Sequence, residues 1–326
     1  MATRPRFADL PFSPDAPPSS SWGLYGPDDA LGTLNLLTPE RVLAAAACIR
    51  TGKRFTVGLP LDLPSPPFFG REPLEHTVIS LMPGMMDDKL DNYWPQGSTQ
   101  WDAICHFGTE GIFYNGNRED DVRAGRLGIH AAARQGIVGR GVLLDVARHA
   151  ASTGAPIDPD SSFEILPELL DATAAAQGIG LREGDILCLR TGWVGWYLGL
   201  DAEGRARPAA ASLTHVDLRC PGLSYREGMA EYLWDHGVAA VAADNPTVEV
   251  MPPPPSPTGD PSLTDPNATL HAQVMGKLGM TLGEFFVFDE LADDCAADGV
   301  YEFFFAAAPI NVTGGVGSPP SAVIVK

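Results

Sequence analysis

The chain has 326 residues, of which 44% are hydrophobic and 19% are charged, and this composition excludes a wholly disordered protein. Asp and Glu number 41 against 22 Lys and Arg, so the formal net charge of -19 would repel nucleic acid and anionic membrane surfaces. We therefore expect neither nucleic acid nor a membrane as a partner.

Membrane segments and disulfides are also not expected. No segment approaches the roughly 20 apolar residues that span a bilayer, and the two arginines near the start precede no apolar run, so we expect a cytoplasmic protein. The five cysteines are odd in number and form no Cys-x-x-Cys pair, which favours reduced, mostly buried thiols. Cys188, inside an apolar run, is predicted to lie in the core.

The first elements follow from turn and cap residues. Residues 1–30 are rich in Pro and Ser and predict an extended N-terminal arm, a common means of meeting a partner subunit. Thr38 is a good N-cap and Pro39 suits the first helical position, so a helix is predicted from Pro39 through residue 49, before Gly52.

The later elements follow from apolar runs bounded by turn residues. Strands are predicted at 141–145, 185–190, 238–242, 300–305 and 322–325, and helices at 167–177, at 224–236 and from 267 onwards. Seven prolines in residues 251–266 predict a loop, which places His271 in a first helical turn beside it. Without a repeat or a long linker, we predict a single α+β domain over residues 1–326 with a mostly β core.

Residues 96–106 carry the strongest polar pattern, because almost every strong polar side chain there has an even number. In an extended chain, residues two apart share a face. The pattern therefore predicts one polar pocket wall, made of Gln96, Ser98, Gln100, Asp102 and His106.

The chemistry must come from an uncommon constellation, since no nucleophile elbow, Walker loop, dinucleotide glycine pattern or His-Glu-x-x-His is present. Two carboxylates, two imidazoles and two amides could form a divalent metal site beside a general base. These candidates are Gln96, Gln100, Asp102, His106, His271 and Glu284. Trp94 and Trp101 are candidate contacts for a flat organic substrate.

Each candidate also has a purely structural interpretation. Asp102 and His106 could be a buried hydrogen-bonded pair, His271 could cap its helix, and Glu284 could lie on the surface. The aromatic candidates could simply be packing. The other histidines have no defensible partner and are interpreted as structural; they are His76, His130, His149, His215 and His236.

Residues 96–106 align without a gap to the motif His-x-Gly-Thr-His-x-Asp-x-Pro-x-His. Thr99, Asp102 and His106 match it, whereas Gln96 and Gln100 stand where the motif has histidines. Ser98 replaces the glycine and Ile104 the proline of the motif. Further landmarks occur in the right order at residues 22–35, 190–193, 220–224, 244–246, 270–271 and 314–319.

On these residues the chain resembles the cyclase-like metal-dependent hydrolase family, which includes bacterial kynurenine formamidases and isatin hydrolase, as a branch with glutamines in place of two histidines. The resemblance implies a swivelling β/β/α fold and a homodimer or homotetramer with sites near subunit contacts. It also implies that Gln96, Gln100 and Asp102 face a metal, that His271 and Glu284 complete the site, and that His106 is the acid/base. Because amide oxygens are hard, weak ligands, Mn would be favoured over Zn, and the site could lack a metal.

Three functions remain open from the sequence. The first is a hydrolase that opens a cyclic or simple amide, or a lactone, of a small aromatic molecule with a water activated by the metal or by His106. The second is a metal-free lyase or cyclase that uses His106 and Asp102, and the third is a non-catalytic binding protein. Asp87 and Asp88, close upstream, could also reach the site to compensate for the missing histidines.

Overall fold

The fold is built mainly from strands, and a computed structural model describes it for residues 4–326. The strands are β1 Arg54–Thr56, β2 Glu75–Met82, β3 Met85–Asp91, β4 Gln100–Asp102, β5 Ile137–Asp145, β6 Glu164–Ile165, β7 Ile186–Arg190, β8 Gly222–Leu223, β9 Ala240–Ala243, β10 Thr281–Glu284, β11 Glu302–Ala307, β12 Gly317–Ser318 and β13 Ala322–Val325. Nine of them form one sheet in the order β1-β13-β11-β5-β7-β9-β10-β4-β12. This architecture confirms the predicted α+β class.

Helices cover the sheet. The α-helices are α1 Pro39–Ala46, α2 Glu119–Arg123, α3 His130–Gln135, α4 Val146–Ser152, α5 Pro167–Gln177, α6 Trp193–Gly199, α7 Ala202–Ala211, α8 Glu227–Asp235 and α9 Asp289–Asp298. Short 3₁₀ turns lie at Phe7–Asp9, Gly32–Leu36, Tyr114–Gly116 and Pro266–Ala268, and Ala272–Lys277 is a π-helix. Within residues 4–326, no helix is both long enough and apolar enough to cross a bilayer.

Both faces of the central parallel strands β5, β7, β9 and β10 are buried. Leu143 and Cys188 pack on one face with aromatic residues of β11, while Leu144 and Leu187 pack on the other with α5 and α8. Strands buried on both faces read as continuous apolar runs, which is why these segments could be predicted from the sequence. Cys188 lies in the core as predicted, and all five cysteines are buried and free.

The predicted elements are largely confirmed. Helix α5 has the predicted bounds, and α1 begins at Pro39, where the Thr38 side chain accepts a hydrogen bond from the Arg41 amide. Helix α1 nevertheless ends at Ala46, because the amides of residues 47–49 donate three residues back in tighter turns, and the amides of Thr51 and Gly52 then donate to the Lys326 carbonyl. The helix predicted from residue 267 is instead a 3₁₀ turn followed by the π-helix.

The predicted arm lies against its own chain. The amide of Phe7 donates to Asp235 at 2.8 Å, and the Arg4 guanidinium lies 5.2 Å from the Trp234 ring centre. The first three residues of the predicted arm lie outside the described part of the chain.

Candidate functional site

Strand β4 forms the floor of the site. It pairs with β10, so that Gln100 lies opposite Glu284, and with β12, so that Gly317 lies opposite Asp102. Gln100 and Asp102 share one face of β4, whereas Trp101 points into the core. Of the five residues in the predicted pocket wall, only Gln100 and Asp102 therefore lie side by side because the backbone is extended.

Gln96 reaches the site from a turn rather than from the strand. The Gly97 amide donates to the Trp94 carbonyl at 2.8 Å, which bends the chain before β4. The Gln96 Nε2 group donates to Asp102 Oδ1 and lies 3.2 Å from His106 Nδ1. Gln96 also packs closely on Gly317, where an added Cβ would overlap the Gln96 side chain.

His271 joins the cluster from the residue before the π-helix. Its Nδ1 lies 2.6 Å from Glu249 Oε1, and its Nε2 lies 3.3 Å from Glu284 Oε1. Glu284 also accepts a hydrogen bond from Gln100 Nε2. All three of Glu249, His271 and Glu284 are buried. π-Helical turns often occur at functional sites, and this one presents a histidine to two carboxylates.

Burial and charge shift the pKa values of the cluster. Burial would lower the pKa of His271, but hydrogen bonds and charge from Glu249 and Glu284 outweigh it and raise that pKa well above 6.5. Burial, reinforced by the charge of Asp102, raises the pKa of Glu284 to about 7. Burial lowers the pKa of His106, although Asp102 opposes the effect, so His106 is held mainly neutral.

The residues present fit a divalent metal. Donor atoms of Asp102, His271 and Glu284 lie within 4.8 Å of one another, and all three residues are buried. Asp102 Oδ2 and Gln100 Oε1 are also buried and accept no hydrogen bond within residues 4–326. Because buried polar atoms normally have partners, two unpartnered oxygens beside these donors indicate space for a cation.

A cavity of about 570 Å³ opens onto this cluster. Its lining includes His106, His271, Glu249 and Glu284 of the cluster, together with Phe69, Arg71, Phe107 and His215. The Phe69 and His215 rings stack with centroids 5.5 Å apart and an interplanar angle of 14°. The volume suits a small organic molecule.

Comparison with known proteins agrees with this architecture. The family described as "Putative cyclase" matches residues 46–250. A solved structure described as a novel cyclase is 34% identical, with a TM-score of 0.79, over 94% of this chain and 99% of that chain. The chain belongs to the cyclase family. This membership confirms the resemblance identified from the sequence.

Two more distant solved structures share the fold of this chain. Isatin hydrolase A from Ralstonia solanacearum is 18% identical, with a TM-score of 0.59, over 89% of this chain and 98% of that one. Isatin hydrolase A from Labrenzia aggregata, bound to benzyl benzoate, is 16% identical, with a TM-score of 0.55, over 88% and 98% of the two chains. No curated protein matches the sequence.

Several residues that were predicted to serve the site lie elsewhere. Trp101 is completely buried in the core, with its ring centre 5.1 Å from that of Phe286, so it does not contact a substrate. Trp94 is exposed and lines a separate cavity at the base of the β2–β3 hairpin. Ser98 donates to the Pro60 carbonyl at 3.1 Å, which is a structural bond.

Asp87 and Asp88 do not compensate for the missing histidines. Both lie on exposed strand β3, where Asp88 pairs with His76 at 2.8 Å. The cluster thus combines six predicted residues, namely Gln96, Gln100, Asp102, His106, His271 and Glu284.

Sequence reasoning missed Glu249, Arg71 and His215. The one local signal for Glu249 is a carboxylate between two valines, Val248 and Val250, in an otherwise apolar stretch. Val248 has a φ of 58°, an uncommon value for a β-branched residue, and such strain is often found near functional sites. Arg71 and His215 stand in irregular segments without any periodic signal. His215, interpreted as structural, in fact lines the cavity.

Proposed function

We propose that this member of the cyclase family is a hydrolase, which opens an amide or lactone of a small organic molecule with the help of a divalent metal. The observation that carries the proposal is the convergence of Asp102, His271 and Glu284 beside two unpartnered buried oxygens. Three carboxylates, those of Asp102, Glu249 and Glu284, are buried, and among residues 4–326 the cationic groups that act on them are His271 and Arg71. A bound cation would therefore lower the cost of their burial. Hydrolysis is also the reaction named for the isatin hydrolases that share this fold.

The donor atoms favour Mn²⁺ over Zn²⁺. One imidazole nitrogen accompanies carboxylate and amide oxygens, a harder set than the histidine-rich motif of the family. The metal, when bound, would polarise the substrate carbonyl and lower the pKa of an attacking water. Glu249 would hold His271 through Nδ1 and leave Nε2 directed at the metal, an arrangement common among metal-binding histidines.

The hydrogen bonds of Gln96 indicate which ring nitrogen of His106 carries the proton. A carboxylate only accepts hydrogen bonds, so the Gln96 nitrogen must face Asp102, and its second hydrogen is then directed at His106 Nδ1. A neutral His106 that accepts at Nδ1 carries its proton on Nε2. We therefore assign neutral His106 as the donor of a hydrogen bond from Nε2 to the oxyanion that develops on the substrate carbonyl, rather than as the base predicted from the sequence.

A metal-free lyase or cyclase is the second candidate. It is favoured by the contacts of His271, whose two ring nitrogens already face Glu249 and Glu284, so that the charges are partly compensated within the protein. In that reaction His106 and Glu284 would move the protons, since the pKa of Glu284 is raised to about 7. Asp102 would then act through Gln96, because Gln96 lies between it and His106.

The test is the metal content of protein purified without chelator, measured by elemental analysis. We expect near-stoichiometric Mn in the wild type, and its loss in Asp102→Asn and Glu284→Gln. Asp88→Asn, on the exposed hairpin, is the matched control and should retain the metal. Turnover of a panel of cyclic amides and lactones should fall with the metal content.

Absence of metal after Mn²⁺ is added back would contradict the metal-dependent hydrolase. Turnover by metal-free protein that His106→Ala abolishes would then favour the lyase or cyclase. Ligand binding without any turnover would favour the non-catalytic binding protein.

A further inference from the structure

Arg71 is the one arginine or lysine that lines the cavity, and the proposed reaction gives it no role. It is partly buried and lines the cavity with His106 and Glu284, and its guanidinium forms no salt bridge or hydrogen bond within residues 4–326. Placing a guanidinium in a partly buried position without a partner costs free energy. This position therefore calls for an anionic partner that enters the cavity.

The nearby carboxylates do not fill this role. Asp102 accepts its hydrogen bond from Gln96, and Glu284 is bound by Gln100 and His271. Both carboxylates attract Arg71 through space, but neither accepts a hydrogen bond from it. The five N–H donors of the guanidinium thus remain free for a ligand.

The wall around Arg71 is flat and aromatic. The guanidinium carbon lies 5.4 Å from the Phe69 ring centre, and Phe69 stacks in turn on His215. Arginine held over an aromatic ring has a fixed plane, which suits two parallel hydrogen bonds to one planar anion. A flat molecule with an in-plane anionic group matches this surface.

A carboxylate fits better than a phosphate. Phosphate sites are commonly built from backbone N–H groups at glycine loops and helix N-termini. Here the cavity lining includes Pro246, Pro253 and Pro266, which have no N–H to donate. A doubly charged group would also be repelled by the three carboxylates of the cluster.

We propose that Arg71 binds a carboxylate group of the substrate, which defines the substrate class as flat carbonyl compounds that carry a carboxylate. This inference rests on the proposed function for the reaction, but the binding step can be tested without turnover. Arg71 would act on substrate affinity, so its loss would raise KM more than it lowers kcat.

The test compares benzoate with benzamide, two probes of nearly the same shape that differ in charge. Their binding to the full-length protein is measured by NMR titration, with the protein chelator-treated in one series and loaded with Mn²⁺ in the other. We expect wild-type protein to bind benzoate about tenfold more tightly than benzamide in both series.

Two substitutions at Arg71 and one elsewhere complete the design. Arg71→Gln should abolish the preference for benzoate, and Arg71→Lys should keep part of it, since lysine keeps the charge but loses the planar fork. Arg123→Gln, in exposed helix α2, removes an arginine that already pairs with Glu119 and should leave the preference unchanged. Circular dichroism confirms that each variant is folded.

Equal binding of the two probes by wild-type protein, or a preference that survives in Arg71→Gln, would overturn the proposal. A preference seen only with Mn²⁺ and retained in Arg71→Gln would show that the carboxylate binds the metal, which overturns the role of Arg71 while supporting the metal site. Absence of Mn²⁺ binding with an Arg71-dependent preference would support this inference and overturn the metal-dependent hydrolase.

Discussion

Two neighbouring regions of this chain depart in opposite ways from the usual pattern of apolar residues inside and polar residues outside. Around β4, charged and amide side chains are buried, and Asp102 is completely inaccessible. In the β2–β3 hairpin, a few residues earlier, every residue is exposed, including Met82 at 59% and Met86 at 62%. Both arrangements are unfavourable for an isolated monomer, and we propose that a ligand offsets the first and a protein surface the second.

The two regions also differ in how well their residues are held by contacts within the chain. In the polar cluster, Gln96, Gln100 and Glu249 each bind a specific neighbour, so most of the burial cost is already offset. The hairpin has only its own pairing, and an isolated two-stranded ribbon is marginally stable in water. The following substitutions separate polar groups that serve the ligand from polar groups that serve the fold.

Glu249→Gln should have the largest effect on activity. Glu249 fixes the ring of His271 through a 2.6 Å contact at Nδ1, and outer partners of metal-bound histidines typically contribute about 10–100-fold in affinity or activity. We expect losses of this size in both Mn²⁺ affinity and turnover. Glu231→Gln, on the exposed face of α8, is the control. Unchanged Mn²⁺ affinity would mean that Glu249 does not position His271.

Gly317→Ala should have a smaller effect that leaves the metal in place. An added Cβ would overlap Gln96 and displace its amide from Asp102 and His106, so we expect turnover to fall about tenfold with unchanged Mn²⁺ content. Gly228→Ala, in α8 with open space around it, should be neutral. Loss of metal in Gly317→Ala, with full metal in the control, would show that Gln96 belongs to the metal site.

Asp244→Asn should change stability rather than chemistry. Asp244 is completely buried and accepts hydrogen bonds from the Thr191 amide and hydroxyl and from the Gly192 amide, so an asparagine NH₂ would face a donor. We expect the free energy of unfolding to fall by about 1–3 kcal/mol at pH 7, with Mn²⁺ content per folded protein unchanged. Urea denaturation measures the first quantity, and elemental analysis the second.

The pH dependence of that variant has a defined sign. Burial raises the pKa of Asp244 from 3.8 to about 6, so between these values the folded state binds a proton that the unfolded state does not. Asp244 therefore stabilises the wild type increasingly as the pH falls from 7 to 5. The stability difference between wild type and Asp244→Asn should widen by about 1 kcal/mol over this interval. A constant difference would mean that Asp244 does not titrate there.

The sequence predicted the strands whose side chains are buried on both faces, such as β5 and β7, because apolar runs bounded by turn residues report local burial directly. It missed the β2–β3 hairpin, whose residues are all exposed and which therefore lacks the buried-exposed alternation of a half-buried strand. That alternation is the signal on which strand prediction depends.

For the site, the sequence predicted which side chains lie together but not which backbone elements bring them together. Alternation along 96–106 implied one long strand, whereas β4 has three residues and turns bring in Gln96 and His106. The close approach of Gly317 to Gln96 joins positions far apart in the chain, and no local period reports such a contact. The same holds for Arg71, which meets the cluster only through the tertiary fold.

The exposed hairpin leads to the last prediction, which should leave the polar cluster untouched. Leu81, Met82, Met85 and Met86 form an apolar tip, and methionine adapts well to a contacting surface. Since the hairpin has no cover within residues 4–326, we propose that a second copy of the chain covers it in a two-fold symmetric dimer. Light scattering after gel filtration should give twice the 34.6 kDa mass of the chain.

The double variant Met82→Lys, Met85→Lys should be monomeric, because burying two charges at the contact would oppose association. Leu43→Lys, which changes an exposed leucine on α1, should remain dimeric. At a dilution where all three proteins are monomeric, the free energy of unfolding of each variant should lie within about 0.5 kcal/mol of that of the wild type. Exposed substitutions rarely change this quantity more. A wild type that is monomeric at all concentrations would exclude the hairpin as a contact between copies, whereas a monomeric double variant with a normal Mn²⁺ content would show that the hairpin serves assembly and the buried cluster serves the ligand.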